Sequence, residues 1–277
     1  MKEQAITFGP ADRMVGVLTD PDAQPASKRP HVLLLNAGFV HRVGPGRLSV
    51  EIARQVARAG FPSLRFDFSG IGDSPPRVPP LDPIACGVAD ARAAMDHLSR
   101  EHDARTFILL GLCSGARHAH HIAVADSRVA GGVMLDGYAY RTARSSLIAA
   151  RERLADPRAL VATARRLLKD RLEREPTSEP PREEEGDAFF PGDPSREKMG
   201  ADLRALAARR VALLYIYTGE WRAYRYAGQL RDAFPRVPLG SLLSERRIDG
   251  ADHLYFTGPE RIAMLGMVKQ WLHERFS

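Results

Sequence analysis

The sequence predicts an α/β fold, in which a doubly wound, mostly parallel β-sheet carries helices on both faces and a helical insertion. Three observations support this prediction. Apolar segments of strand length alternate with helix-length segments over residues 1–140, and parallel strands need crossover connections of that length. Residues 111–115 read Gly-Leu-Cys-Ser-Gly between an apolar run and an Ala-rich segment, which indicates a sharp strand-to-helix turn. The alternation stops over residues 141–208 and then resumes.

The predicted strands follow the distribution of apolar residues. The first two are short, whereas several later ones are near-continuous apolar runs, which are typical of strands covered on both faces. In chain order, strands are expected at residues 5–8, 14–18, 31–36, 62–67, 107–110, 129–135, 211–217 and 242–248.

The predicted helices lie between these strands. The first, at 48–59, has an apolar inner face and ends at Gly60, a common helix stop. The Ala-rich segment after residue 113 is expected to form another helix. Further helices are expected at residues 82–101, 145–155, 157–172, 195–208, 224–234 and 259–275.

The break in alternation divides the chain into a core of residues 1–140 and 209–277 and an insertion of residues 141–208. Within the insertion, residues 173–186 are rich in Glu, Arg and Pro, and we expect them to be loosely ordered. An insertion above the carboxyl ends of the strands is where a lid or substrate-binding cap is expected. The alternative is a small subdomain that serves only packing.

Composition and charge exclude several classes of protein. The chain has 277 residues of ordinary globular composition and no apolar run near the roughly 18 residues of a membrane span. Its net charge of +6 comes from scattered arginines, which argues against nucleic acid as a partner. Only two cysteines occur, Cys86 and Cys113, and the first residues lack a signal-peptide core. We therefore expect a cytoplasmic protein with neither a membrane nor a nucleic-acid partner; no oligomeric state is predicted.

The turn at residues 111–115 is the strongest candidate for chemistry. It matches the nucleophile-elbow pattern Gly-x-Ser-x-Gly with sulfur in place of oxygen, and small residues two positions either side let strand and helix approach closely. With Cys113 at the apex, both flanking positions are glycine; with Ser114 there, one would be the bulky Leu112. This steric argument favours Cys113 as the nucleophile. The alternative is a small buried cysteine that ends a strand.

A thiol nucleophile needs a base, and the base needs an acid to orient it. His253 lies in a polar turn directly after the last predicted strand, where this fold places the base. The acid has two candidates. Asp136 ends the strand after the elbow, and Glu220 is the only carboxylate in the loop after the next-to-last strand, where Arg222 holds the position that a Gly-x-x-Asp pattern gives to the acid. We prefer Asp136.

Two further groups of residues are expected at the site. The backbone N–H groups of Ser114 and of Phe39, in the loop after residue 36, are the expected oxyanion donors. His41 and Arg42 in the same loop predict a polar or anionic substrate group nearby, so Arg42→Ala should raise KM for an acidic substrate.

Three histidines on the helix after the elbow are candidate metal ligands. His118 and His121 are three residues apart and share a helix face, with His120 between them. No carboxylate or third cysteine is spaced to complete a site, so a packed cluster is predicted and no metal.

These residues together resemble α/β-hydrolases. The similarity extends over nearly the whole chain outside the insertion and is greatest to a bacterial cysteine-elbow subgroup of serine-aminopeptidase-like or exosortase-associated hydrolases. The elbow is also similar to that of dienelactone hydrolases and of some thioesterase or cyclising domains. The resemblance implies an α/β-hydrolase fold with Cys113 as nucleophile, His253 as base and no cofactor. It rests on residues 36–45, 65–74, 111–115, 136–140 and 252–253.

Three functions remain open from the sequence. The first is an acyl-enzyme hydrolase that acts on an ester, lactone or thioester through a Cys113 thioester. The second is an acyltransferase or cyclase of a biosynthetic pathway, since thioesters react well with amines and slowly with water. In both, the partner is a small-molecule acyl substrate, free or attached to a carrier. The third is a non-catalytic scaffold.

Overall fold

The computed structural model describes residues 1–22, 29–155, 192–256 and 258–277. Its strands are β1 (Lys2–Phe8), β2 (Met14–Asp20), β3 (His31–Leu34), β4 (Ser63–Phe66), β5 (Phe107–Leu112), β6 (Val129–Leu135), β7 (Ala212–Thr218) and β8 (Leu243–Ile248). Its helices of at least five residues are α1 (Leu48–Arg58), α2 (Pro83–Glu101), α3 (Ser114–Ala125), α4 (Ala143–Ala155), α5 (Arg196–Ala208), α6 (Gln229–Ala233) and α7 (Gly258–Phe276).

The eight strands form one sheet in the order β1-β2-β4-β3-β5-β6-β7-β8. β1 and β2 pair with antiparallel neighbours, and the six strands from β4 to β8 across the sheet are parallel. The order reverses at β3, because β4 lies on one side of it and β5 on the other. The predicted doubly wound, mostly parallel sheet is confirmed.

Helices cover both faces of the sheet, and the strand residues alternate between the two layers. On β5, Leu109 packs into the hydrophobic cluster that also contains residues of α2, α3, α5 and α6. Its neighbours Ile108 and Leu110 pack into the opposite cluster, with α1 and α7. This two-residue period is expected of a strand buried on both faces.

One predicted helix is clearly shorter in the structure, and two predicted segments lie outside the described residues. The helix expected at 224–234 is confined to Gln229–Ala233, because the chain before it turns at Gly228, whose φ of 93° is left-handed. The helix expected at 157–172 and the loose segment expected at 173–186 lie outside the described residues.

Only the two ends of the predicted insertion are described. At its carboxyl end, α5 buries Met199, Leu203 and Leu206 in the same cluster as α2 and α3, so this helix packs against the core. The division of the chain at residues 140 and 208 stays a prediction. No helix among the described residues is both long and apolar enough to cross a bilayer.

Candidate active site

The turn between β5 and α3 has the conformation of a nucleophile elbow, with Cys113 at its apex. Cys113 has φ 55° and ψ −116°, a backbone conformation that non-glycine residues rarely adopt. A Cβ on Gly111 would lie 2.2 Å from the carbonyl carbon of Gly115, and one on Gly115 would lie 2.5 Å from the carbonyl oxygen of Asn36. Both glycines are therefore required where strand and helix approach each other, as the sequence predicts.

Asp136 occupies the corresponding position at the carboxyl end of the neighbouring strand β6. Its φ of 48° is left-handed, a conformation that Asp tolerates better than most residues. The carboxylate is fully buried. The backbone N–H of Thr218, the last residue of β7, donates to its Oδ1 at 2.7 Å, and the Thr218 hydroxyl donates to Oδ2 at 2.6 Å. These bonds fix the carboxylate so that its Oδ2 also faces His253, in the loop after β8.

His253 completes a chain of hydrogen bonds from the carboxylate to the thiol. Its Nδ1 donates to Asp136 Oδ2 at 2.7 Å, which leaves Nε2 for the thiol of Cys113, and the imidazole and this thiol are hydrogen-bonded. The structure thus brings together Cys113, His253 and Asp136 from the ends of neighbouring strands β5 and β6 and the loop after β8.

The electrostatics of this chain favour a charged thiolate–imidazolium pair. The hydrogen bonds that the imidazole makes to Asp136 and, secondly, with Cys113 raise the pKa of His253 from 6.5 to about 10. The hydrogen bond from His253 lowers the pKa of the Cys113 thiol, against the opposing effect of burial. The thiolate is the form of cysteine that acts as a nucleophile. Cys113 is only half-buried, so the sulfur is reachable.

Glu220, the alternative acid, does not contact the imidazole through its carboxylate. Its Oε2 accepts the backbone N–H of His253 at 2.9 Å. The neighbouring Trp221 lies flat against the imidazole, with ring centroids 5.3 Å apart and planes 10° apart. The sequence reasoning missed Trp221 and Thr218. Thr218 directly follows the strand predicted at residues 211–217, which is a usable signal, whereas no pattern in the sequence points to Trp221.

The expected oxyanion region lies where the loop after β3 meets the start of α3. The backbone N–H of Gly38 donates to the Ser114 hydroxyl at 2.6 Å, and the Ser114 backbone N–H donates to the Cys113 sulfur. Ser114 therefore contacts the loop through its side chain and the Cys113 sulfur through its backbone. Phe39 follows Gly38 in this loop and exposes 62% of its side chain. Its role as the second donor stays a prediction.

Comparison with known proteins identifies the family. The sequence model of the alpha/beta hydrolase family matches residues 11–265, most of the chain. The chain belongs to this family. No curated protein matches the sequence.

Solved α/β-hydrolase structures superpose over nearly the full length of the chain. An esterase from Pyrococcus furiosus gives a TM-score of 0.62 at 13% identity, covering 100% of this chain and 92% of that chain. A dienelactone hydrolase from Anabaena variabilis gives 0.60 at 15% identity, covering 100% and 99%. An α/β serine hydrolase without a lid from Xanthomonas campestris gives 0.58 at 14% identity, covering 100% and 96%. At such identities the likeness shows the fold alone.

In this α/β-hydrolase, His41 and Arg42 belong to a network of charges beside the oxyanion loop. The Arg42 guanidinium donates to Asp67 and, at 2.8 Å, to Asp73, and the Arg42 backbone N–H donates to Asp67 at 2.6 Å. Ligand-type atoms of His41, Asp67 and Asp73 lie within 4.8 Å of one another, but the guanidinium already bonds to all three side chains. These contacts give Arg42 a part in holding two loops together. Contact with an anionic substrate stays a prediction.

The three histidines of α3 pack against different neighbours. His118 packs against Phe68, with ring centroids 5.1 Å apart and the ring planes tilted by 53°. His120 bonds to Asp202 of α5 at 3.0 Å, and His121 bonds to the Tyr138 hydroxyl at 3.1 Å. Burial lowers the pKa of both His118 and His121 to about 4. The contacts describe a packed cluster.

Proposed function

We propose that this α/β-hydrolase is an acyl-enzyme hydrolase that acts on an ester, lactone or thioester through a Cys113 thioester. The observation that supports it is the hydrogen-bonded chain from Asp136 through His253 to a half-buried Cys113 at the apex of the elbow. The substrate is a small acyl compound, free or attached to a carrier. This proposal includes membership of the cysteine-elbow subgroup, for which Cys113 at the apex is the support.

The geometry supports a two-step reaction. The Cys113 thiolate attacks the acyl carbon, and the developing oxyanion meets the Ser114 backbone N–H and a second donor in the loop after β3. The His253 imidazolium gives its proton to the leaving alkoxide or thiolate, which leaves as alcohol or thiol. His253, now neutral, takes a proton from water, and the resulting hydroxide attacks the thioester. The products are the carboxylic acid and the regenerated thiolate–imidazolium pair.

Asp136 is the orienting acid of this mechanism. Its buried carboxylate fixes Nδ1 of His253 and stabilises the imidazolium that the first step requires. Glu220 contacts the same histidine only through the backbone, which makes it the weaker candidate for this role.

The sulfur nucleophile supports a second candidate, acyl transfer or cyclisation. A thioester reacts readily with amines and slowly with water, so an amine or alcohol acceptor can replace water in the second step. The covalent intermediate is the same for both functions, and they differ only in what attacks it.

Intact-mass spectrometry with p-nitrophenyl esters tests both candidates. We expect wild-type protein to gain one acyl group that is absent from Cys113→Ala, and to lose it spontaneously with release of the free acid. Persistent acylation that is discharged by an added primary amine would support transfer. No adduct and no turnover with a panel of esters and thioesters of different chain lengths would leave the scaffold function.

A further inference from the structure

Two residues of the loop after β7 contact His253 without belonging to the hydrogen-bonded chain. In this loop Gly219 is held against the turn after β8: its N–H donates to the Ile248 carbonyl at 3.0 Å, and a Cβ there would lie 1.9 Å from the Asp249 carbonyl oxygen. This close approach admits only glycine. It brings the next two residues, Glu220 and Trp221, directly against the segment that carries the imidazole.

We propose that Glu220 and Trp221 are positioning residues that hold the His253 imidazole in line between Asp136 and Cys113. The proposal rests on the function proposed above and adds to it a second set of contacts on the base. Glu220 holds the backbone of His253 by accepting its N–H at 2.9 Å. Trp221 holds the ring itself, because the two planes are within 10° of parallel.

The two contacts restrain different motions. The hydrogen bond to the backbone N–H of His253 fixes the position of its backbone. The flat aromatic neighbour limits rotation of the imidazole about the side-chain torsion angles. The hydrogen bond to Asp136 holds only one ring nitrogen. By itself it would leave the ring able to rotate about this hydrogen bond. A ring face is also attracted to a cation, so the indole favours the protonated imidazole over the neutral one.

The same strand end therefore supports both the acid and the base. Thr218 donates two hydrogen bonds to Asp136, and the residues that follow it contact His253. The loop after β7 is the usual place for the acid in this fold. Here the same loop instead restrains His253, the partner of the acid.

Alkylation of Cys113 by iodoacetamide tests this proposal without a substrate. The rate is followed from pH 5 to pH 10, with the modified cysteine identified by peptide mass spectrometry. An imidazole that is out of line no longer favours the thiolate at neutral pH, whereas at high pH the thiol ionises without help. We expect Glu220→Ala and Trp221→Leu to react about fivefold more slowly than wild type at pH 7, with the difference vanishing near pH 10.

Conservative variants serve as matched controls. Glu220→Gln keeps an oxygen acceptor and Trp221→Phe keeps a flat ring, so both should react within about twofold of wild type. The indole N–H is buried without a hydrogen-bond partner among the described residues, and its loss in Trp221→Phe therefore breaks no bond described there. Arg222→Ala changes an exposed side chain of the same loop and should leave the pH profile unchanged.

The outcomes separate this proposal from the proposed function. Wild-type profiles in both Glu220→Ala and Trp221→Leu, with native melting temperatures, would overturn the positioning role while leaving the mechanism intact. A wild-type Cys113 that reacts only in the pH range of an ordinary thiol would instead remove the thiolate–imidazolium pair and with it the function. Glu220 is exposed, so Glu220→Ala keeps the test decisive if Trp221→Leu does not fold.

Discussion

Replacing Asp136 with Asn tests the electrostatic core of the mechanism. The carboxylate accepts three hydrogen bonds, two from Thr218 and one from His253. An amide has only one acceptor oxygen, so in Asp136→Asn its NH₂ group must face at least one of these donors. Asn tolerates the left-handed backbone at this position as well as Asp does, so the loss of charge and of hydrogen bonds, rather than backbone strain, is what the variant measures.

The size of the effect follows from the pKa of His253. Raising it from 6.5 to about 10 corresponds to roughly 5 kcal/mol of preference for the protonated ring, at about 1.4 kcal/mol per pKa unit. The hydrogen bond that the imidazole donates to Asp136 is the largest contribution, ahead of the one it shares with Cys113. If the carboxylate supplies about 2 kcal/mol of the stabilisation of the transition state, its loss lowers the rate of acylation about 30-fold.

The assay is kcat/KM for a p-nitrophenyl ester, measured together with the alkylation rate of Cys113 at pH 7. Asp249→Asn is the matched control, because it makes the same chemical change at a carboxylate that is 82% exposed and pairs with Arg247 near the same loops. We expect both rates to fall in Asp136→Asn and neither in the control. A decrease below threefold in a folded Asp136→Asn protein would refute the role assigned to Asp136.

Three further predictions concern the pH profile, the oxyanion loop and the charge network. As pH increases, activity should rise at a pH below the range of an ordinary thiol, because the pKa of Cys113 is lowered. Activity should fall as the pH passes about 10, where His253 loses the proton that the leaving group needs. A single rise near pH 9 would contradict this. Ser114→Ala should lower kcat about fivefold by freeing the oxyanion loop from the elbow, and an unchanged kcat would contradict it. Arg42→Ala should lower the free energy of unfolding by about 3 kcal/mol in urea titrations, because it leaves the carboxylate of Asp67 buried beside one fewer cation; full stability with a higher KM for an acidic ester would support substrate contact instead.

The fold and the elbow could be predicted because their signals are local. Buried parallel strands appear as continuous apolar runs, and the elbow is marked by glycines two positions either side of Cys113, of which Gly111 is required by its contact with Gly115 and Gly115 by its contact with Asn36. His253 was found because it follows the last strand. The length of α6 was overestimated, since the apolar spacing of residues 224–234 does not reveal the left-handed turn at Gly228.

Contacts between distant segments account for what was missed. Trp221 contacts His253 because Gly219 packs against the turn after β8. The spacing of apolar residues in the sequence does not reveal this contact. No pattern in the sequence indicates the ion pairs of Arg42 with Asp67 and Asp73, which come from another loop; its contact with an acidic substrate stays a prediction. The choice between Asp136 and Glu220 likewise depended on which carboxylate the packing directs at the ring rather than at the backbone.

The separation in sequence between the imidazole and its carboxylate has a consequence for biosynthesis. The two lie 117 residues apart, and the histidine comes after the final strand, so a growing polypeptide carries its sulfur long before it carries the group that activates it. In refolding experiments, brief pulses of an alkylating agent at neutral pH would time the arrival of the C-terminal segment, with the thiol acting as a built-in clock.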